Sequence, residues 1–588
     1  MNNGFWRFYM DLNRTSVVKN VYDRFQETGR FDALRCDWRE GMPNKPHVFY
    51  DSDVAKWIEG VAYIIQESPV PEWEALVDEM VDNIAENQRK DGYFNSYYQS
   101  IEPSKAFTQR EQHELYCLGH MIEAAIAYHQ ATGKEKLLNC VLKNVDMVYR
   151  TFVEEKTATF VTPGHQEIEL ALMRLYNYLD NEKHLQLARF FLDQRGANEK
   201  DGTLYQYGTE YSQDNVPVRQ ITEAVGHSVR AAYMYTGMQM LAKVDGDEAL
   251  KNACDRVFDN IVNYKMAITG GMGSDQLGEK FSYKYDIPNS DTYNETCAAI
   301  SLAMFAGVLQ ESKVDSRYGD IIERVLYNGF ISGVSLDGEK FFYSNPLEYD
   351  RKKSVRSTYQ APGERVKVFE CSCCPPNVVR TLASVANYMY TIDEDTVYCN
   401  QFGSSEATLQ IGSKDAVLKQ TTNYPYDGKV TFHYSGEPMT LCVRIPDWCV
   451  EYTGETKNGF VQFSLTDGDC VTVDFPMEVH FIEANPYVQD NSGRFAVQRG
   501  PIVYCMEELD NGENLRDIRL LENGTIRVEK EDGIPAPVIY IDAQRRAATN
   551  KLYSLKGSNF INFTAKLIPY FSFANREATD MIVWTIVI

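Results

Sequence analysis

Histidine is scarce in this chain, nine in 588 residues, and positive charge is outweighed: 59 Lys and Arg stand against 83 Asp and Glu, a formal charge of −24. Such a surface repels phosphate backbones and anionic headgroups, so neither nucleic acid nor a membrane is an expected partner. Long apolar runs are missing too. No stretch approaches the ~20 residues of a membrane span, and Met1-Asn2-Asn3-Gly4-Phe5-Trp6-Arg7-Phe8-Tyr9 has no basic region followed by an apolar one. The expectation is a cytoplasmic protein. The 13 cysteines are an odd number, and Cys117, Cys140, Cys254 and Cys442 stand singly in apolar surroundings. That pattern fits reduced buried thiols better than a disulfide framework. No low-complexity linker occurs, so the domains are expected to pack tightly; a homodimer is allowed for.

What is present is a composition 44% hydrophobic and 24% charged, enough for several domains with a large core. Between residues 8 and 390 about twelve segments carry helical spacing, near 10–26, 53–67, 71–89, 111–132, 136–152, 166–179, 183–195, 222–243, 247–264, 293–311, 316–332 and 375–390. Similar turns join them in pairs: Ala131-Thr132-Gly133-Lys134-Glu135, Leu179-Asp180-Asn181-Glu182-Lys183 and Val244-Asp245-Gly246-Asp247-Glu248. Each turn links an apolar helix to a more charged one, as in hairpins of inner and outer helices. Repeated hairpins predict a closed (α/α)6 barrel, with a superhelical solenoid as the alternative. The long loops 90–110, 196–218 and 265–291 are rich in Gly, Tyr, Asp and Ser, and loops of such length usually carry function.

After about residue 390 the period changes to two, as in Thr440-Leu441-Cys442-Val443-Arg444-Ile445 and Asp469-Cys470-Val471-Thr472-Val473-Asp474-Phe475. The expected fold is a multidomain α and β protein, an (α/α)6 barrel over 1–390 followed by two β-sandwiches over 391–486 and 487–575. The tail 576–588 is allowed to cross back into the first sandwich.

The chemically dense stretch is Glu370-Cys371-Ser372-Cys373-Cys374-Pro375-Pro376-Asn377. Two prolines suit a helix entrance, where N–H groups are unpaired anyway, so the thiols sit where the macrodipole favours anions. The residue before a proline is pushed from helical geometry, which predicts an extended Cys374 on a different heading from Cys373. Upstream, Glu295 and Cys297 flank Thr296 ahead of an apolar helix. In a regular helix they diverge by about 200°, so they share a ligand only if the helix starts late. With Cys373 and Cys374 they would complete a zinc site of three sulfurs and one carboxylate oxygen. The alternative is that Cys297 is a core thiol and the cluster fortuitous.

Among the histidines, His113 and His120 are seven apart on one helical face, His165 stands at a helix entrance, and His227 lies on an apolar face. Each alone reads as a satisfied core residue; together they could line one pocket suited to sugar hydroxyls. The loop Thr269-Gly270-Gly271-Met272-Gly273-Ser274-Asp275-Gln276-Leu277-Gly278-Glu279 lacks the strand a nucleotide cradle needs. Its glycines suit close backbone approach to a ligand, delivering Glu279 as a carboxyl acid or leaving it as a solvated loop residue.

Taken together, Glu295-Thr296-Cys297, Cys371-Ser372-Cys373-Cys374-Pro375-Pro376-Asn377, the glycine loop ending at Glu279 and His113-Glu114-Leu115-Tyr116-Cys117-Leu118-Gly119-His120 closely resemble glycoside hydrolase family 127, the β-L-arabinofuranosidases. The likeness covers nearly the whole chain. It implies the same barrel and sandwiches, and zinc on Glu295, Cys297, Cys373 and Cys374. It further implies a nucleophile at Cys373, a general acid/base at Glu279, and sugar contacts from His113, His165, His227 and Tyr343; Cys371 matches a position that is not a ligand. On this reading the protein is a retaining exo-glycosidase acting on plant-derived oligosaccharides, and Glu279 needs a pKa near neutrality before attack. The rivals are a same-fold hydrolase of another unusual acidic or deoxy sugar, and a carbohydrate-binding protein with structural zinc.

Overall fold

The computed structural model describes residues 1–588 except 353–362, 369, 370, 413, 550, 554 and 558. Glu370, at the head of the cysteine cassette, lies outside the described residues. The helical segments read from the sequence are all present, and the joining turns behave alike. Helix Glu114–Thr132 ends at Gly133, Ile168–Leu179 at Asp180 and Ser228–Asp245 at Gly246, each in the left-handed region. A left-handed residue satisfies the last carbonyls and reverses the chain. In the latter two hairpins a new cap follows at once: the side chains of Asn181 and Asp247 accept from Lys183 N and Leu250 N.

The helices that open these hairpins pack on one another in sequence. Tyr50–Glu67 contacts Glu114–Thr132, which contacts Ile168–Leu179, then Ser228–Asp245, Thr296–Gln310 and Cys374–Ser384, and the last returns to Tyr50–Glu67. The ring is closed. Its members are buried around much of their circumference, whereas Lys136–Tyr149 and Glu248–Tyr264 outside it bury one stripe. The closing contact needs a glycine, because a Cβ on Gly60 would lie 2.6 Å from Val379 Cγ1. Beneath the ring centre Arg380 donates to Glu59 (2.8 Å), Glu123 (2.7 Å), Asn377 (2.7 Å) and Tyr233 (3.1 Å), tying the Cys374–Ser384 helix to three others.

Residues 390–474 form two four-stranded sheets, ordered Tyr390–Asp393, Thr396–Cys399, Met439–Arg444, Phe460–Leu465 and Ser405–Ile411, Lys414–Thr422, Lys429–Ser435, Cys470–Asp474. A third, ten-stranded sheet follows. It opens at Val479–Glu483, which pairs with Phe495–Arg499, so this unit starts ahead of the expected boundary at 487. The tail does not cross back: Ile586–Val587 pairs with Arg519–Leu520, and Met581–Ile582 with Glu348–Tyr349 from the helical part. The sequence pattern of short apolar strands carries no partner information, which is why the tail's destination was open. No helix among the described residues is long and apolar enough to cross a membrane.

The helical part and the first sheets are joined by a buried ion cluster. Arg444 donates to Glu323 at 2.7 Å and also pairs with Asp320, while Tyr424 and Trp448 donate to Glu323 at 2.6 and 3.0 Å. Burial pushes Asp320 up to about 7 despite Arg444. Removing the cation strands two buried carboxyls. Arg444→Leu is therefore expected to lower stability by about 3–5 kcal/mol, read as a lower urea midpoint; a midpoint within error of wild type would show that the cluster is dispensable.

Candidate active site

The ring helices all present their N-terminal ends to one cavity of about 440 Å³. Phe49, His113, His227, Glu295 and Cys373 are the residues immediately preceding helices that begin at Tyr50, Glu114, Ser228, Thr296 and Cys374, and all line it. Orphan amides and aligned dipoles make that end of the ring favourable to anions. Sequence periodicity placed several of these starts too early, and His113, His227 and Glu295, counted as helical, stand ahead of their helices.

Glu295 is extended (φ −62°, ψ 139°), so the helix starts late and the condition for a shared ligand is met. A bridge to Ser344, with Thr296 N donating to Tyr343 O at 2.9 Å, sets Tyr343 beside it. Cys373 adopts helical dihedrals as the cap, and the helix begins at Cys374 itself, not after an extended Cys374 as expected. At a first turn Pro375 and Pro376 remove donors that had no partner, so the restriction on the preceding residue is outweighed. Cys374 is nonetheless buried while Cys373 faces the cavity.

Ligand atoms of Glu295, Cys297, Cys373 and Cys374 all lie within 4.8 Å of one another. Cys297 Sγ is 3.2 Å from Cys374 Sγ, and Glu295 Oε1 is 3.4 Å from Cys373 Sγ and 3.6 Å from Cys374 Sγ. Tyr343 OH is 2.9 Å from Cys373 Sγ and 4.0 Å from Cys371 Sγ. Buried anionic groups this close cannot all ionise. Burial, with the charge of Cys373, drives Glu295 well up; burial and thiol bonds to Cys297 and Cys373 do the same to Cys374. Cys297 resists burial through bonds from Cys373 and Cys374 and falls to about 6. Glu295 Oε2 is buried without a hydrogen-bond partner among the described residues. A soft dication held by these four atoms removes every one of these conflicts, so the donor set fits a metal.

A second cluster, His120, Glu123 and Glu167, lies below the cavity. Arg380 and Arg174 already neutralise Glu123 there, so it reads as an ion network. His120 therefore parts from His113, which stands just ahead of the same helix.

Glu279 is reached by a left-handed backbone (φ +55°), and its carbonyl accepts from Ser228 N at 3.0 Å. Of the loop glycines, Gly273 approaches protein, where a Cβ would meet Ser228 Oγ at 2.5 Å, while Gly278 lines the cavity. His227 Nε2 lies 2.8 Å from Glu279 Oε2. Burial raises the Glu279 carboxyl, but that bond, His227, Tyr293 and Arg230 outweigh it and hold Glu279 below the ordinary range. The expectation of a value near neutrality is thus not met in the unliganded cavity. His113 is lowered to about 3, and His165 and His227 are lowered, in each case chiefly by burial. The imidazoles are neutral at pH 7 and can both donate and accept, as hydroxyl recognition requires.

Tyr116, Arg230 and Asp53 also line the cavity and were not singled out from sequence. Tyr116 is three residues after His113 and Arg230 three after His227, a spacing that puts each pair on one face. Loops 196–218 and 265–291 contribute lining residues; 90–110 contributes none among those described.

A family model described as "Beta-L-arabinofuranosidase, GH127 catalytic domain" matches residues 1–387. The chain belongs to glycoside hydrolase family 127. The family's middle and C-terminal domain models match 396–477 and 479–586, in step with the sheet boundaries. The chain is 34% identical to a non-reducing end beta-L-arabinofuranosidase of Bifidobacterium longum subsp. longum, over 91% of this chain and 88% of that one. It resembles the crystal structure of a GH127 beta-L-arabinofuranosidase from Geobacillus stearothermophilus T6 with a TM-score of 0.95 at 37% identity, covering 100% of this chain and 99% of that chain. A further GH127 beta-arabinofuranosidase structure superposes with a TM-score of 0.91 at 33% identity, covering 100% and 96%. This family member is a glycoside hydrolase whose cavity holds a cluster of thiols and a carboxylate able to bind a metal.

Protein purified without chelator is expected to carry one metal ion per chain, and Cys297→Ser or Cys374→Ser to lose most of it by elemental analysis. Occupancy unchanged in both variants would remove the cluster as the binding site.

Proposed function

We propose that this family 127 enzyme is a cytoplasmic, retaining exo-glycosidase that releases terminal β-L-arabinofuranose from plant-derived oligosaccharides or glycoconjugates. Its architecture would be an (α/α)6 barrel followed by two β-sandwiches, a reading supported by the closed helix ring and the paired sheets. The observation that carries the proposal is the placing of Cys373 and Glu279 in one cavity, Cys373 beside Glu295 and Glu279 in the same group as Glu295. The activity of the related beta-L-arabinofuranosidases names the sugar.

Glu295, Cys297, Cys373 and Cys374 would hold zinc, which suits three sulfurs and one carboxylate oxygen and would supply the positive charge that keeps the thiols deprotonated. Tyr343, whose phenol is held protonated by burial, lies 2.9 Å from the Cys373 sulfur and would donate to it once that sulfur is a thiolate. In the first step the Cys373 sulfur bonds to the anomeric carbon as the carbon–oxygen bond breaks, and Glu279 gives its proton to the departing oxygen. A thioglycoside on Cys373 results. In the second step Glu279 takes a proton from water, the oxygen of which bonds to the anomeric carbon, and the carbon–sulfur bond returns its electron pair to sulfur. Two displacements retain configuration, with cysteine in place of the nucleophilic carboxylate. Substrate covering the cavity strengthens desolvation, the effect that already pushes Glu279 upward, and so loads it for the first step.

The neutral imidazoles of His113, His165 and His227 face the sugar hydroxyls. Arg230 is the lone basic side chain among the described lining residues, against Asp53, Glu279 and Glu295. That balance disfavours an acidic sugar.

Glu279→Gln is expected to keep the metal while slowing turnover of a natural substrate by roughly 10²–10⁴-fold; wild-type turnover would place the acid elsewhere. A haloacetamide or cyclic epoxide of arabinofuranose configuration should label Cys373 in peptide mass spectra, and product analysis should show retention. A label on Cys374 or Glu295, or inverted product, would defeat the thiolate mechanism.

A further inference from the structure

The cavity has two unlike walls. Beside the thiols it is lined by imidazoles and carboxylates, whereas its outer wall is made by Tyr205, Tyr207, Tyr211 and Leu277. The Tyr207 and Tyr211 rings are 4.9 Å apart at 38°, and Tyr205 meets Tyr211 edge-on at 5.8 Å. Tyr211 is buried, and the Arg230 guanidinium lies 4.7 Å from its ring centre, which fixes the base of the cluster. The top is open: Tyr205 is 53% and Leu277 64% exposed. Large apolar side chains left exposed together at the mouth of a cavity mark a binding surface more often than chance. Tyr205 also holds a left-handed backbone (φ +52°), which a bulky residue adopts only where something else requires it.

The cluster is joined to the proton donor. Gly278, immediately before Glu279, has φ +86°, and a Cβ there would lie 3.3 Å from the Tyr211 ring and 3.5 Å from the Tyr207 ring. Leu277 and Gly278 therefore carry Glu279 in directly from the aromatic wall. A general acid must reach the leaving oxygen, so whatever is attached to that oxygen rests on the acid's side of the scissile bond. From this placement we infer that Tyr205, Tyr207 and Leu277 form a leaving-group subsite that accepts a ring, a second sugar or an aromatic aglycone, by stacking and apolar contact. The inference rests on the reading of Glu279 as the acid. A surface of ring faces and one leucine has few fixed donors, so it selects for ring-bearing leaving groups over alkyl ones while tolerating different linkages. Binding energy from such a remote ring is realised in the transition state, and a substrate without the ring loses kcat as well as affinity.

The test compares kcat/KM for a β-L-arabinofuranosyl disaccharide with that for methyl β-L-arabinofuranoside, in wild type, Tyr207→Ala, Tyr205→Ala and Leu277→Ser. The wild-type ratio is expected to favour the disaccharide, and Tyr207→Ala to lower that ratio about tenfold, the size of one lost ring contact. Tyr205 and Leu277 are exposed, so their variants are expected to fold and to move the ratio the same way by a smaller factor. A ratio that none of the substitutions moves, in variants with wild-type metal content and melting temperature, overturns the subsite while leaving the glycosidase reading intact. Wild-type protein that cleaves neither compound overturns the arabinofuranosidase reading, and the subsite with it.

Discussion

Everything distinctive in this molecule depends on forcing like charges together at the positive ends of helices. Six ring helices start at one cavity, so their unpaired amides and dipoles face the same space. Into that space the chain delivers three thiols and a carboxylate whose ligand atoms all lie within 4.8 Å. The dipoles alone do not settle the conflict, because Glu295 and Cys374 are still driven well up while Cys297 is driven down. Close acidic neighbours that cannot all ionise titrate unequally, and a bound cation is one way to relieve that conflict.

The rest of the fold holds that arrangement still. Arg380, two turns into the helix that begins at Cys374, is saturated by Glu59, Glu123, Asn377 and Tyr233, so the helix cannot slide without breaking buried charge-assisted bonds. Gly60 lets the ring close against Val379. The late sheet adds a strand from Glu348–Tyr349, a few residues after Tyr343, and so braces the segment that carries the tyrosine. Positioning to within a fraction of an ångström is what the proposed thiol nucleophile and its acid would need.

The proton inventory shows how burial and pairing divide labour. Glu279 is kept low by His227 although burial works the other way, and His227 is itself lowered by burial. Burial and pairing thus act on Glu279 in opposite directions, and pairing prevails. The neighbouring imidazoles are lowered chiefly by burial and offer hydrogen bonds without adding positive charge.

Periodicity and turn chemistry determined, from sequence alone, the helical pairs, the recurring turns that join them, and the switch to strands near residue 390, because these are local properties of spacing and backbone freedom. Residue types determined the four candidate ligands, since few other uses exist for Cys373 and Cys374 ahead of two prolines. Tertiary structure decided what local rules cannot reach. It put Glu295 before its helix and Cys374 inside one, sent Ile586–Val587 to the last sheet, separated His120 from His113, and set Glu279 low. Strand partners, helix starts under competing restraints and the titration of buried groups all depend on atoms distant in the chain, and no spacing rule contains them.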